Sequence, residues 1–253
     1  MTINYTEKLF ETRYRDDYAD SNGFVRILFN NGRHLQAREL TQSQTIIQKQ
    51  LERFGRNIFK EGADVLPGAV ALNNKYEFVK LDAGVYSVPV DGSVLDETFV
   101  GQNSNVRIKV LEQVGIEGSD PHTLYVEYTN TIGGTVGNTP IRLTPGEDIV
   151  GVSTGTILRV QTTNTISNPA VGQGVKFSVD EGSFFVNGFF VFAPKQEIII
   201  QKYSPIYSGT VGFKVVQDVV TEDDDESLYD NSQKLPNTTA PGADRFRITL
   251  TLI

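Results

Sequence analysis

The segment Gln36-Ala-Arg-Glu-Leu-Thr-Gln-Ser-Gln-Thr-Ile-Ile-Gln-Lys-Gln-Leu-Glu-Arg-Phe-Gly-Arg-Asn-Ile-Phe-Lys60 divides the chain into two kinds of sequence. Within it Leu40, Ile47, Leu51, Phe54 and Ile58 recur at steps of seven, four, three and four. Those steps keep side chains on one face of an α-helix, and they lie close to the heptad period of helices that meet along a seam. Gln44 fills the stripe position between Leu40 and Ile47. Long unbranched side chains dominate elsewhere and favour the helix. Gly55 weakens the last turns by about 1 kcal/mol relative to Ala, and Gly62 marks the stop near the C-cap. The spacing therefore predicts one long helix over 36–60, with Arg38, Glu39, Gln42, Lys49, Glu52, Arg53 and Arg56 on its outer face. Two fates suit so narrow a stripe, which Ile46 widens only locally. The helix can lie on a sheet of its own subunit. It can instead pack against copies of itself around a symmetry axis, where a buried Gln44 sets register at some cost in stability.

Beyond Gly62 the pattern turns to strands and stays there. Val106-Arg-Ile-Lys-Val-Leu-Glu-Gln-Val114 and Leu124-Tyr-Val-Glu-Tyr-Thr129 alternate or cluster apolar residues as strands do. Similar runs occur at 65–72, 76–81, 86–90, 94–100, 157–162, 175–179, 184–192, 197–200, 210–220 and 246–253. Gly, Asn, Asp or Pro punctuates nearly every gap. Short strands at such spacing predict an α+β chain, mainly β, with antiparallel sheets in a sandwich or barrel-like arrangement and one long helix in the N-terminal region. Without a second long helix there are no βαβ crossovers, which argues against Rossmann and TIM folds. Glu61-Gly62-Ala-Asp-Val-Leu-Pro-Gly68 echoes Glu181-Gly182-Ser-Phe-Phe-Val-Asn-Gly188, each a bend followed by a strand and a tight turn. Asn187-Gly188 is a type I′ hairpin signal. The expected organisation is an N-terminal arm and helix over 1–62, then a β-rich body over 63–253 with an inserted polar β subdomain at about 75–170.

Residues 1–34 read as irregular, with a short helix or strand around Phe10. Tyr5, Phe10, Tyr14, Tyr18 and Phe24 make this end aromatic, so it either wraps its own domain or docks on a neighbouring subunit. The Gly/Thr-rich stretches 129–155 and 162–174 read as long loops or an exposed subdomain, and 221–240 as an excursion between two strands.

The totals narrow the function classes. The 253 residues suffice to bury a core without a metal or disulfide. The chain has no cysteine, which removes thiolate chemistry, iron–sulfur clusters and Cys-containing zinc sites. With 23 Lys and Arg against 31 Asp and Glu, the net charge is −8, so the basic face of a nucleic-acid or anionic-membrane binder is not visible. No apolar run is long enough to span a membrane, and the start Met1-Thr-Ile-Asn-Tyr-Thr-Glu-Lys8 lacks a signal-peptide core.

Chemistry-bearing motifs are sparse. His34 and His122 stand far apart and read as surface or turn residues. No nucleophile elbow, phosphate loop or dinucleotide fingerprint occurs. Glu222-Asp-Asp-Asp-Glu226 lacks calcium-loop spacing and reads as a solvated loop. A glycosidase needs only two suitably spaced carboxylates; the absence of Trp platforms speaks against one. No catalytic, cofactor-binding or metal-ligating residue is assigned, and no cofactor is expected.

The segment Phe29-Asn-Asn-Gly-Arg-His-Leu-Gln-Ala-Arg-Glu-Leu40, continued by the Gln-rich helix and Phe59-Lys-Glu-Gly62, resembles the opening of a conserved structural domain of contractile-tailed bacteriophages, including cyanophages. That domain occurs in tail and baseplate proteins. Asn31 stands where the family has Pro, and Asn also tolerates a turn. Gly182–Val191 resembles the family's later Gly-rich strands, and Gly242–Leu252 its closing part. The resemblance implies a non-enzymatic virion protein that joins tail, baseplate or tail-fibre components after assembly in the host cytoplasm. It implies a homo-oligomer, with a trimer favoured, its helix or aromatic N-terminal region near the subunit contacts in a coiled-coil-like manner. Asn30, Gly32, Arg33, Leu35, Gln36, Arg38, Glu39 and Leu40 match the motif and look structural. Family proteins often continue further, so this chain is either a fragment or a short member. The alternative is a host-surface, carbohydrate-binding adhesin, and beyond it a polysaccharide depolymerase.

Overall fold

The computed structural model describes residues 14–82, 84–86, 92–129, 135–136, 139–140, 142–230 and 237–253. Its one long helix, α1, spans Ala37–Ile58. The strands follow as β1 (Asp64–Leu66), β2 (Val70–Lys80), β3 (Thr98–Gly101), β4 (Arg107–Val114), β5 (Thr123–Tyr128), β6 (Thr135–Val136), β7 (Thr139–Pro140), β8 (Asp148–Gly151) and β9 (Ile157–Arg159). Then come β10 (Val171–Val179), β11 (Gly182–Val186), β12 (Phe189–Ala193), β13 (Gln196–Gln201), β14 (Phe213–Val220), β15 (Tyr229–Asp230), β16 (Asn237–Pro241) and β17 (Arg245–Leu252). The architecture is mainly β, built of antiparallel sheets with a single long helix near the N-terminal region. The chain folds as two units. One comprises Met1–Val70, Val179–Gln196 and Val211–Ile253, the other Ala71–Ser178 and Glu197–Thr210.

The first unit holds α1, the sheet β1–β11–β12 and the ribbon β14–β17. Asn187 and Gly188 both take positive φ, 51° and 84°, which is the type I′ geometry that returns β11 into β12. The two Glu-Gly echoes meet here, because Asp64 of β1 pairs with Phe184 of β11. Pro67-Gly68 separates β1 from β2, and a Cβ on Gly68 would lie 2.4 Å from the Asp180 carbonyl oxygen, so only glycine permits that approach. Val186, Val191, Ala193 and Leu250 form the buried core, with Phe184, Phe189, Phe213 and Ile248 against it. The Gln196 side chain donates to the Leu250 carbonyl and accepts from the Leu252 amide, both at 2.8 Å, and so pairs β17 as a strand backbone would.

The second unit is an eight-stranded sheet of order β13-β10-β2-β5-β4-β3-β8-β9. Half of it repeats itself at an offset of 50 residues. Val100 pairs with Val150, Phe99 with Gly151 and Gly101 with Ile149, so the β3–β4 and β8–β9 hairpins face each other about a local two-fold. The Asp96 amide donates to Val110 and the Gly146 amide to Val160; Asn105 and Gly155 donate to Gly101 and Gly151. All four donors take positive φ. Each hairpin is clasped by a carboxylate from the other. Glu147 accepts from the Asn103 and Ser104 amides at 3.0 Å, and Glu97 accepts from the Ser153 and Thr154 amides at 2.8 and 3.1 Å. The core of the unit includes Phe99, Ile108, Leu143, Ile149 and Leu158.

Several expectations are corrected here. The stretch 129–155, read as loops or an exposed subdomain, is not all exposed loop: it holds β8 at Asp148–Gly151, Leu143, Glu147 and Ile149 are buried, and Gly146 and Gly155 form tight turns of the repeat. Residues 171–174 of the second expected loop open β10. Val94 is buried but precedes β3 in a turn, because the strand begins at Thr98. The 221–240 excursion does lie between two paired strands, β14 and β17, and its residues 229–230 and 237–240 contribute to the small pair β15–β16. Tyr5, the expected element around Phe10 and most of the run 86–90 lie outside the described residues.

Candidate interaction surface

Three layers of local chemistry position α1. At its start, Gly32 takes φ 77° and the Arg33 amide donates to the Asn30 carbonyl, closing the turn of the Asn30–Arg33 motif. Glu39 then accepts from the Gln36 amide at 3.1 Å, satisfying one of the donors a helix N-terminus leaves open. The backbone chain preceding that turn is tied along the helix. Buried Asp16 accepts from the buried Thr45 hydroxyl and, at 3.0 Å, from the Tyr18 amide. Asp17 accepts from Gln42 at 2.8 Å and pairs with Arg38 at 3.4 Å. Asp20 pairs with Arg53, and the Tyr18 hydroxyl, aided by that guanidinium, holds the Asp20 carboxyl below its ordinary range.

The opposite flank of α1 rests on the sheet of its own unit through small and polar residues. A Cβ on Gly55 would lie 2.4 Å from the Phe185 ring, so glycine is required for the helix to sit this close. Gln48 donates to the Gly188 carbonyl at 2.7 Å. Glu52 packs against Gly188 and is held by Lys49 at 3.0 Å and Arg56 at 2.9 Å. Phe59 closes the end against Phe185 and Phe190, with ring centroids 6.0 and 5.8 Å away.

These contacts overturn one of the two fates open to the stripe. Leu40, Ile47, Leu51, Phe54 and Ile58 are 45–62% exposed, while the buried helix residues are Thr45, Ile46 and Gly55. The seam does not lie on its own sheet. Lys49 and Glu52, expected on the outer face, are instead largely covered. The physical reason is close approach: glycines at 55 and 188 let the backbone of helix and hairpin come together, which bulky seam residues would prevent. The apolar surface continues into the arm. Phe24, Val25, Leu28, Phe29 and Leu35 are all exposed, and the Val25 carbonyl lies 3.5 Å from Gln50. Single exposed apolar residues are ordinary, but a contiguous stretch of this extent marks an interaction surface.

Residues 12–127 match a domain of unknown function, DUF4815. The DUF4815-like region thus carries the arm, α1 and the strands from β1 into β5, including the whole uncovered seam. No curated protein and no solved structure matches the chain.

Elsewhere several acidic side chains are engaged within the chain. A groove of about 310 Å³ in the second unit is lined by Asp82, Asp120, Gln161, Thr162 and Thr163 among others. Asp120 is paired to Lys202 at 3.0 Å and Asp82 accepts from the Gly84 amide at 3.1 Å, so the two carboxylates are engaged separately. Of the two histidines, His34 is exposed, whereas His122, expected at a surface or turn, is buried beside β5 with no partner on Nδ1 among the described residues. Its carbonyl accepts from the Leu81 amide, which draws it into the sheet. Asp224 accepts from Thr221 and Asp225 from the Ser227 amide, so parts of the acidic run cap turns. Among the described residues no group of three or more His, Asp or Glu is placed to hold a metal ion, and no helix is long and apolar enough to cross a membrane.

Proposed function

We propose that this chain is a structural component of a phage tail, baseplate or tail-fibre attachment, a virion protein that joins neighbouring components and works as a homo-oligomer, with a trimer favoured. One observation carries the reading: the chain folds a long helix against itself by Ile46 and by polar and small residues, and leaves the apolar seam uncovered. A protein that acts on a substrate needs converging functional groups, whereas a joining protein needs a rigid surface that gains by being covered. The motif at 29–62 that resembles the phage domain coincides with that surface. Fractionation tests the proposal. Purified particles should contain the chain in fixed stoichiometry, and electron microscopy should place α1 at a protein–protein contact. Absence from particles refutes it. Selective binding on a glycan array, with the seam still uncovered in the particle, would replace it with the adhesin.

A further inference from the structure

We infer that α1 is the axial helix of a parallel three-fold junction between copies of this chain, which rests on the reading of its seam as an assembly surface. In heptad terms Leu40, Ile47 and Phe54 occupy d positions, and Gln44, Leu51 and Ile58 occupy a positions. The rows on either side are Thr41, Gln48 and Gly55 at e, and Ser43, Gln50 and Asn57 at g. None of those six is charged. Charges at e and g choose partner and orientation in coiled coils. Their absence lets identical helices meet without like-charge repulsion, which suits a second copy better than a differently charged protein.

Orientation follows from Gln44. In a parallel array Gln44 meets Gln44, and each amide offers both donor and acceptor to its neighbours. An antiparallel array that overlays the seam would set Gln44 against Phe54 and leave a buried amide unsatisfied, which is costly. The central pair, Leu51 at a and Ile47 at d, belongs to the class that shifts preference from two strands to three or four, of which three is the smaller closed array. Area is sufficient. The five seam and five arm residues are each about half exposed or more, and the largest of them, the three phenylalanines, carry roughly 150–250 Å² each. The surface per copy is therefore at most on the order of 1,000 Å², comparable with the ~800 Å² that each partner gives to a stable interface. Both flanks of α1 are held by its own chain, through Gln48 and Gly55 on one side and Gln50 on the other. The seam is thus presented as a fixed ridge and loses little freedom on association.

The absence of cysteine makes the test clean, because any introduced thiol is the sole one. The whole chain is measured by light scattering at micromolar concentration, then oxidised as Leu40→Cys and, separately, Ile58→Cys. The expected result is a mass of three 28.0 kDa chains, disulfide-linked pairs from each variant alone, and collapse to a monomer in Leu51→Glu with the β circular dichroism retained. A mass of one, two or four chains overturns the inference. So does linkage that appears only when the two cysteine variants are mixed, or a trimer that Leu51→Glu leaves intact. A chain that is monomeric alone but buried by its seam against a different particle protein would sink the three-fold junction and leave the joining function standing. A trimer in solution that particles lack would do the reverse.

Discussion

Replacing Glu147 by Gln should cost far more than the same replacement at Glu97, although the two occupy equivalent places in the repeat. Glu147 is 1% exposed. One of its oxygens accepts from the Asn103 and Ser104 amides at 3.0 Å; the other accepts from the Ser104 hydroxyl at 2.9 Å and from the Thr144 amide. A carboxamide keeps one acceptor oxygen; in its less costly rotation that oxygen stays on the Asn103 and Ser104 amides, while the NH₂ meets the Ser104 hydroxyl, which can turn to accept, and the Thr144 N–H, which it strands. Hydrogen bonds to a charged group contribute about 1.5–3 kcal/mol each, and a stranded buried donor costs about 1–3 kcal/mol. One stranded buried donor, with the charge-assisted bonds to the other amides made neutral, amounts to about 2–4 kcal/mol. Glu97 makes the matching pair of bonds to Ser153 and Thr154, but those residues are exposed. Water takes the place of the lost acceptor there, and E97Q should cost under about 1 kcal/mol. Denaturant unfolding followed by circular dichroism measures both. Amide exchange at Thr144, the donor left without its carboxylate oxygen, shows whether the clasp itself has loosened. An E147Q no more destabilising than E97Q, or a Thr144 amide that keeps its protection in E147Q, would refute this account.

Other consequences are equally direct. Gly55→Ala places a methyl 2.4 Å from the Phe185 ring; overpacking of about 1–3 kcal/mol outweighs the ~1 kcal/mol helix gain, so thermal unfolding should move down, and Phe185→Leu should restore part of the loss. Asp16→Ala removes the acceptor shared by Thr45 and the Tyr18 amide, a local loss of about 2–3 kcal/mol that should speed cleavage after Arg26 while α1 stays helical; an unchanged cleavage rate would contradict the anchoring. Tyr76 is pushed up to about 12, first by burial and then by the Glu112 carboxylate. Below pH 10 it is neutral folded and unfolded, so its contribution to stability is fully present; between pH 10 and 12 the unfolded chain ionises first and stability falls. The absorbance titration of wild type minus Tyr76→Phe should show this group ionising near 12, and a transition at 10 would contradict its burial.

The strand content was legible because Val106–Val114 and Leu124–Thr129 carry a period that one sheet face imposes locally. Asn187-Gly188 was legible for the same reason, since both of its φ values are dictated by adjacent residues. The repeat was harder. Its sequence trace is Glu97-Thr-Phe-Val-Gly101 against Glu147-Asp-Ile-Val-Gly151, only three identities in five. What it conserves is geometry. Asp96 takes the same positive φ as Gly146, and Asn105 the same as Gly155. An Asn, an Asp and a Gly serve that conformation alike, so the likeness hides in residue types that look interchangeable with any turn. The Gly/Thr-rich 142–155 consequently resembled a loop while holding Glu147 in the core.

The helix poses the opposite problem. Its period states that the seam from Leu40 to Ile58 is to be covered, and nothing in a period names the cover. The decision lies on the other face, where Gly55 admits the Phe185 ring, Gln48 reaches the Gly188 carbonyl and Thr45 meets Asp16. These are contacts of glycine, amide and hydroxyl with backbone and ring, formed between residues as much as 140 apart, and no hydrophobic pattern announces them. Because they use up the polar side of α1 within the chain, the apolar side is left facing outward. An intrachain sheet and an outside partner compete for the same helix, and the two glycines decide the competition: fill either with a larger side chain and the helix can no longer sit polar face down. The positions that set the outward face are therefore Gly55 and Gly188, neither of which belongs to it.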